Sequence, residues 1–473
     1  MTEIVQVLAV PAAGAYHYTD LAALQDNPVS LADQYTAPGV SPGFRRVREV
    51  AEAVSVGLVL SEGSVAWGDC VAVAYSGMAG RDPVFRIADG LSTIRHEVMP
   101  VLEGRRITAF REMAPAIDAL TERTRIPVPQ RAEPTDSEDL RRPVLSRRDL
   151  LTAPLRFLRN EGTEATAHEE NETPSADYVA VERPLHTAIR YGVSQALLKA
   201  VALTRNTTMA EVIADEWGLP RPGRPVPIHA QSGGERCTNA DKMIVRWVAS
   251  LPHALVEDIP QQLGEDGEEM VRYVRWLVAR IQELGGTEYR PSIHLDFHGA
   301  LGRIYDNSLG RILGYLYRLE SWVQPYTLRV ESPVVMGTRD EQIEALRTLR
   351  EYVQFRKMAV QIVADEWVNT LEDILEFVTA GAVDMIQIKM PDLGGVQNSV
   401  DAVLACKDGD VGAFLGGSCA ETDLSARVAV HVALATQPDM IMAKPGMGVD
   451  EGVTIVQNEM TRALVEMKVR DRR

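Results

Sequence analysis

Short apolar runs alternate with longer amphipathic stretches over the second half of the chain, and this alternation carries most of the fold. Strand-like runs occur at residues 226–231, 254–257, 293–296, 327–331, 359–365, 385–389, 413–416 and 440–443. Helix-spaced patterns at 267–284, 339–352, 370–380, 397–406 and 424–435 separate most of them. Strands alternating with helices over about 250 residues predict a (β/α)8, TIM-type barrel within an α/β chain. The barrel is expected at 222–473.

The first third has a different rhythm. Residues 2–10 read as a strand, and 54–61 with 64–74 as hairpin arms around Glu62-Gly63. Residues 89–102 and 107–120 have helical spacing, with Pro100 expected to end the first. Together they predict a small α+β domain at 1–124. Amphipathic helices at 189–203 and 209–217 form a helical connection within 178–221. Between the two, Pro, Glu, Thr and Arg cluster at 125–177, which reads as a solvated insertion. Inside it, Ser146 and Asp149 resemble a capping box that Pro154 would kink or end.

At 473 residues and 45% hydrophobic composition the chain can bury a substantial core. Its net charge of -17 argues against nucleic acid or an anionic membrane as partner, since phosphate neutralisation needs excess Lys and Arg. The four cysteines form no C-x-x-C pair, so a reduced, cytoplasmic protein is expected. No signal peptide and no transmembrane run is evident.

The chemistry sits at predicted strand ends, where barrel enzymes carry their catalytic groups. Asp296, Glu331 and Asp365 each close a different strand. Singly, such a carboxylate is more often a helix cap or a surface charge. Three on successive strands suit a hard cation such as Mg2+, which takes oxygen ligands and keeps open positions. Lys389 ends the next strand, with Gln387 on the same face. A lysine desolvated beside a dication has its pKa lowered and can serve as a base; the plainer reading is an ion pair with one of the carboxylates. His294, Asp296 and His298 also share a strand face and would suit a transition metal, although His294 lies deeper and reads as a packed core residue.

Several segments carry a family resemblance. They are G-D-C-x-A-V-x-Y-S-G-x-x-G-R-D-P-x-F at 68–85, L-H-T-A-I-R-Y-G at 185–192, A-Q-S-G at 230–233 and L-P-H-A-L at 251–255. I-V-A-D-E-W at 362–367, Q-I-K-x-P-D-L-G-G at 387–395, G-G-x-C-x-E-T at 416–422 and K-P-G-M-G at 444–448 continue the series. The chain resembles the methylaspartate ammonia-lyases of the enolase superfamily, a group known for a Lys or His base working with magnesium. The resemblance implies that the N-terminal α+β domain caps the barrel. It implies magnesium on Asp296, Glu331 and Asp365, and Lys389 as the base on C3 of a (2S,3S)-3-substituted aspartate. His253 would stand opposite, serving the other C3 configuration or acting as partner acid. Gln231, Gln387 and the backbone at Ser418 and Cys419 would hold carboxylates. A monovalent cation such as K+ and a homodimer belong to the same family picture.

Removing a proton α to a carboxylate places a second negative charge on that group, which a dication would stabilise. The amine on the neighbouring carbon then leaves as ammonia, giving mesaconate in the methyl case. Better-known members of the family carry Gln at Ala74, Thr at Ser418, Leu at Met442 and an aromatic residue at His298. Ala74 and Met442 therefore mark candidate specificity positions, and a larger C3 group or a substituted amine is expected to fit. A dehydratase or epimerase of a dicarboxylate, and a catalytically silent binding protein, are the competing readings.

Overall fold

The computed structural model describes residues 2–26, 33–127, 178–470 and 472. Most of the expected insertion, including Ser146, Asp149 and Pro154, lies outside the described residues.

Three antiparallel strands build the N-terminal sheet: β1 (Ile4–Thr19), β2 (Arg48–Leu60) and β3 (Val65–Cys70), in that order. The β2–β3 hairpin turns at Glu62-Gly63 as expected, with Val59 paired to Val65 and Gly63 at φ 94°. Two further strands, β4 (Thr121–Pro127) and β5 (Tyr178–Pro184), form a separate antiparallel ribbon. Residues 125–127, expected to open the insertion, instead finish β4.

Helix Thr187–Arg205 lies against this sheet and is apolar nearly all round, with Tyr191, Val193, Ala196, Leu197 and Ala200 all buried. Such a helix needs cover on more than one side. The sheet supplies one side and the barrel the other, through Val396 N donating to Ser194 Oγ at 2.9 Å. The first turns run close to β3: a Cβ on Gly192 would lie 2.5 Å from Cys70 N.

The second half closes as an eight-stranded parallel barrel. Its strands are β6 (Ile228–His229), β7 (Ser250–His253), β8 (Ser292–Asp296), β9 (Leu328–Glu331), β10 (Val360–Ala364), β11 (Met385–Ile388), β12 (Gly412–Leu415) and β13 (Met440–Met442). β13 returns to β6 through the pairing of Ile441 with Ile228. The interior holds Val363, Met385, Phe414, Met440 and Met442, and the rings of His229 and His294 pack 4.9 Å and 5.6 Å from Phe414. No described helix is long and apolar enough to cross a membrane.

Three local expectations are corrected. The second barrel strand is Ser250–His253, not residues 254–257. Pro252 hides it from a periodicity reading, because proline lacks the ladder N–H and is rare within sheets. Ala254 then turns left-handed at φ 48°, which ends the strand before the apolar residues that suggested it. Pro100 does not stop its helix: a π-helical stretch, Ile94–Val98, leads into a last segment, Met99–Leu102, that holds the proline in its first turn. Helices Arg236–Val245, Leu309–Val323 and Val449–Arg470 were not anticipated. The first is polar, and the second carries two glycines that weaken its helical reading.

A Cβ on Gly68 would strike the Gly192 carbonyl and lie 2.7 Å from Ala196 N, both main-chain atoms that cannot swing aside. Gly68→Ala is expected to destabilise by about 1–3 kcal/mol as an overpacking change. A urea unfolding midpoint equal to that of the unaltered protein would count against this close sheet–helix approach.

Candidate active site

The order of strands around the ring fixes what faces what. β7 and β11 are four steps apart in either direction, so His253 at the tip of β7 and Lys389 just past β11 stand at opposite ends of a diameter. Asp296 ends β8, Glu331 ends β9, and Asp365 follows β10, filling one arc between them. Gln231 beyond β6, Ser418 and Cys419 beyond β12, and Met442 on β13 fill the other. All of these residues except Glu331 line one cavity of roughly 450 Å³, together with Ala74, Tyr75, Arg81, His298 and Gln387. Glu331 is buried beneath it.

The chain turns sharply at the tips. His253, His298, Ser332 and Trp367, none of them glycine, take left-handed φ of 65°, 45°, 43° and 66° just at or after β7, β8, β9 and β10. Such conformations are costly and cluster at functional sites. Backbone ladders hold them: Phe297 N donates to Glu331 O at 3.0 Å, and Ser332 N to Val363 O at 3.0 Å.

Lys389 Nζ lies 2.8 Å from both Asp365 oxygens, with good donor geometry to Oδ2. Arg81, from the N-terminal domain, reaches 3.5 Å from Asp365 Oδ1 and donates from Nε to Asp392 Oδ2 at 2.9 Å. Burial, the largest influence, lowers the Lys389 pKa, but Asp365, Asp392 and Glu366 together more than offset it and the net shift is upward.

His253 Nε2 is 3.3 Å from Asp296 Oδ2, and its Nδ1 is 3.2 Å from His229 Nε2. His229 Nδ1 in turn meets Ser250 Oγ at 2.9 Å. Glu331 accepts from Gln387 Nε2 at 2.5 Å and from His294 Nε2 at 2.6 Å. Burial and then the neighbouring His229 and His253 push the His294 pKa well down, which favours its neutral form in the hydrogen bond to Glu331. Gln387, expected to hold a substrate carboxylate, has its amide N–H turned to Glu331 and its Oε1 buried without a protein partner.

His298 pairs with Glu366 through Nδ1 and Oε1 at 2.8 Å, and Glu366 also takes the Ser332 hydroxyl. Burial lowers the His298 pKa but Glu366, with Asp296 and Asp365, brings the net shift upward; burial raises Glu366 but His298, with Arg81 and Lys389, brings it well below the ordinary carboxylate range. His294 and His298 thus serve different carboxylates and do not meet as the transition-metal cluster weighed from the sequence. The Cys419 thiol is pushed up to about 12 by burial and then by Glu257, which favours the thiol over the nucleophilic thiolate near neutral pH. The Ser418 N–H, expected to be free for a carboxylate, donates to Glu421 Oε2 at 2.9 Å.

Arg81, His229, Glu366 and Asp392 were missed by sequence reasoning. Arg81, Glu366 and Asp392 lie within motifs that had been singled out, beside residues that drew the attention. His229 gave no signal, because a lone histidine in a two-residue strand has no pattern around it.

The charge balance bears on a metal. Asp296, Glu331, Asp365 and Glu366 crowd one rim against Lys389, Arg81 and His298. Burial raises Glu331 well above the ordinary carboxylate range, and the charges of Asp296 and Asp365 add to it. An all-oxygen donor set short of positive charge fits a hard divalent cation. Among the described residues, ligand atoms converge within 4.8 Å in two groups: His253, His294 and Glu331, and His298, Asp365 and Glu366. Asp296, Glu331 and Asp365 do not form one such group, since Lys389 and Arg81 engage Asp365.

Family models for the methylaspartate ammonia-lyase C-terminus and N-terminus match residues 222–469 and residues 2–131 with 141–218. Methylaspartate ammonia-lyase 2 of Carboxydothermus hydrogenoformans is 42% identical over 468 residues, 99% of each chain. The magnesium complex of β-methylaspartase from Clostridium tetanomorphum matches with a TM-score of 0.80 at 38% identity, over 99% of this chain and 100% of that one. Methylaspartate ammonia lyase of Citrobacter amalonaticus containing (2S,3S)-3-methylaspartic acid matches with a TM-score of 0.82 at 37% identity, over 98% and 100%.

Glu331 holds its proton to higher pH folded than unfolded, so the folded state binds more protons and loses stability as pH rises from the unfolded value through the folded one. A divalent cation at this rim would relieve that loss. Adding Mg2+ is expected to raise the melting temperature more at about pH 8 than at about pH 5. A melting temperature that ignores Mg2+ at both values would argue against a metal at these carboxylates.

Proposed function

Since the chain belongs to the methylaspartate ammonia-lyase family, a family of lyases, we propose that it eliminates ammonia from (2S,3S)-3-methylaspartate, or a related 3-substituted aspartate, to give mesaconate or a 2-substituted fumarate. The observation that carries this reading is the diameter between Lys389 and His253, flanked by an anionic arc and a polar one. A substrate with two carboxylates and an amine needs such a divided rim.

In this reading Lys389 Nζ takes the proton from C3. The C3–H electron pair becomes the C2–C3 double bond, and the C2–N bond breaks to release ammonia. Lys389 must present a free amine to do so. Burial and the Arg81 charge both favour that form, while the Asp365 charge opposes it. Asp296, Glu331 and Asp365 are the residues that would hold Mg2+, which supplies positive charge for the substrate carboxylate beside C3 and offsets the pull of Asp365 on Lys389. His253, kept in orientation by His229, serves the opposite face of C3 or acts as partner acid. Gln231 and the Cys419 backbone hold the carboxylates; Gln387 and Ser418 border them on the cavity wall, their amide N–H groups engaged by Glu331 and Glu421. A K+ ion assisting Mg2+, a homodimer and a cytoplasmic location belong to the same reading and rest on the family resemblance.

The retained base and acid pair favours a catalyst over a silent binding protein, and ammonia release separates a lyase from a dehydratase or an epimerase. With (2S,3S)-3-methylaspartate and Mg2+, absorbance from the conjugated product is expected to grow together with ammonia. Lys389→Ala is expected to lower kcat by about 10²–10⁴-fold. His253→Ala is expected to impair the (2S,3R) isomer more than the (2S,3S) isomer, and an equal loss on both would remove His253 from the opposite face.

Ala74 and Met442 line the cavity, where a glutamine and a leucine stand in better-known relatives. Loss of an amide side chain opens volume and removes polar partners, and methionine adapts its shape readily. Larger C3 substituents or substituted amines are expected to react, and Ala74→Gln is expected to suppress them. A panel in which only 3-methylaspartate and ammonia are accepted would overturn this extension.

A further inference from the structure

Beneath the polar arc lies an ion pair that the reaction does not use. Lys444, just past β13, is 1% exposed and Glu421 is fully buried, with Lys444 Nζ 3.0 Å from Glu421 Oε2. Every polar atom of the pair is spent on one loop and one helix. Lys444 Nζ also donates to Gly416 O at 3.0 Å, Ser418 N donates to Glu421 Oε2 at 2.9 Å, and Tyr191 O–H donates to Glu421 Oε1 at 2.9 Å. A Cβ on Gly417 would collide with both Glu421 Oε2 and Lys444 Nζ, so the loop backbone rests directly on the pair.

The loop in turn holds the N-terminal domain. Ser418 Oγ accepts from Ala74 N at 3.0 Å and donates to Ala72 O at 3.2 Å. Ala420 O accepts from Ala15 N at 3.2 Å. One fully desolvated charge pair therefore sets the height of Ser418 and Cys419 on the cavity wall and, through the Ser418 hydroxyl, that of Ala72–Ala74 opposite it. Two buried charges are not an economical way to hold a loop, because desolvation largely cancels their attraction. They do fix direction, since each partner has several bonds that must be made at once.

We infer that Glu421 and Lys444 are positioning residues for substrate binding: their buried pair, anchored on Tyr191, locks the loop at 416–422 and the segment at 72–74 into the register that shapes the carboxylate and amine end of the pocket. This deepens the lyase reading and rests on it for the identity of the substrate.

The test compares the unaltered enzyme with Glu421→Gln/Lys444→Met, which removes both charges together, and with Tyr191→Phe, which keeps the ring and removes one donor. Hydrogen exchange is followed by mass spectrometry without substrate, and KM and kcat are measured with (2S,3S)-3-methylaspartate and Mg2+. Exchange is expected to quicken about tenfold in peptides covering 416–422 and 72–74, and less elsewhere. KM is expected to rise about tenfold with kcat within about threefold, with Tyr191→Phe showing a smaller change of the same kind. Tyr191→Phe keeps the test decisive if the double variant does not fold. Folded variants with unchanged exchange in these peptides, or with faster exchange and unchanged KM, would overturn the inference. If the unaltered enzyme released no ammonia, the lyase reading would fall, and the exchange comparison would still decide whether the pair locks the loop.

Discussion

Negative charge confined to one buried rim is the constraint to which the rest of the site answers. Asp296, Glu331, Asp365 and Glu366 end or follow three neighbouring strands, where parallel pairing sets Asp296 beside Glu331 and Glu331 beside Val363, two residues short of Asp365. Burial alone would protonate some of them. Each nearby cation is committed to this problem: Lys389 to Asp365, Arg81 to Asp365 and Asp392, His298 to Glu366. Arg81 comes from outside the barrel, so docking of the N-terminal domain is part of the charge balance and not only a lid over it.

The closed ring converts this local chemistry into a directional site. An eight-stranded barrel with carboxylates on three successive tips leaves the strands on either side, β7 and β11, diametrically opposed. Groups at those two positions address opposite faces of anything held between them. The remaining tips, β12, β13 and β6, carry no acidic group on the cavity wall. A molecule with anionic ends and a cationic amine thus meets chemically distinct surfaces on its two sides. Chemistry at one carbon with recognition at its neighbours follows from strand order before any individual contact is considered.

The barrel and its strand-end carboxylates were legible because both rest on periodicity. Alternating runs name the strands, and the last residue of a run names the tip. Glu331 and Asp296 were found this way and lie where the runs end. The same rule failed at β7, because Pro252 and the left-handed His253 break the pattern that would announce a strand. His253 consequently became a candidate through family resemblance and not through its position. His229, Arg81 and the Glu421–Lys444 pair were illegible for another reason. Their significance is a contact between residues distant along the chain, such as His229 to His253, 24 residues apart, or Arg81 to Asp392, 311 apart. No window along the sequence contains both partners. Lys389 shows a subtler limit: the residue was visible, but the direction of its pKa shift depends on how Asp365 is balanced in three dimensions.

The positions that the family resemblance marks as departures fall into two kinds. Ala74, Ser418 and Met442 are uncharged and touch none of the rim carboxylates, so they can alter volume without disturbing the charge balance. Even there the freedom is uneven. Ala74 presents a methyl where its backbone N–H is already engaged by Ser418, whereas Ser418 needs its hydroxyl for Ala72 and Ala74. Serine in place of threonine keeps that oxygen and loses only a methyl. His298 is the other kind. It sits inside the anionic arc and pairs with Glu366 at 2.8 Å, a contact that an apolar aromatic ring could not make. No hydrogen bond or ion pair among the described residues joins His298 to Ala74, Ser418 or Met442, but the His298 ring packs on Tyr75, next to Ala74, with centroids 5.0 Å apart, so the two arcs meet through that contact.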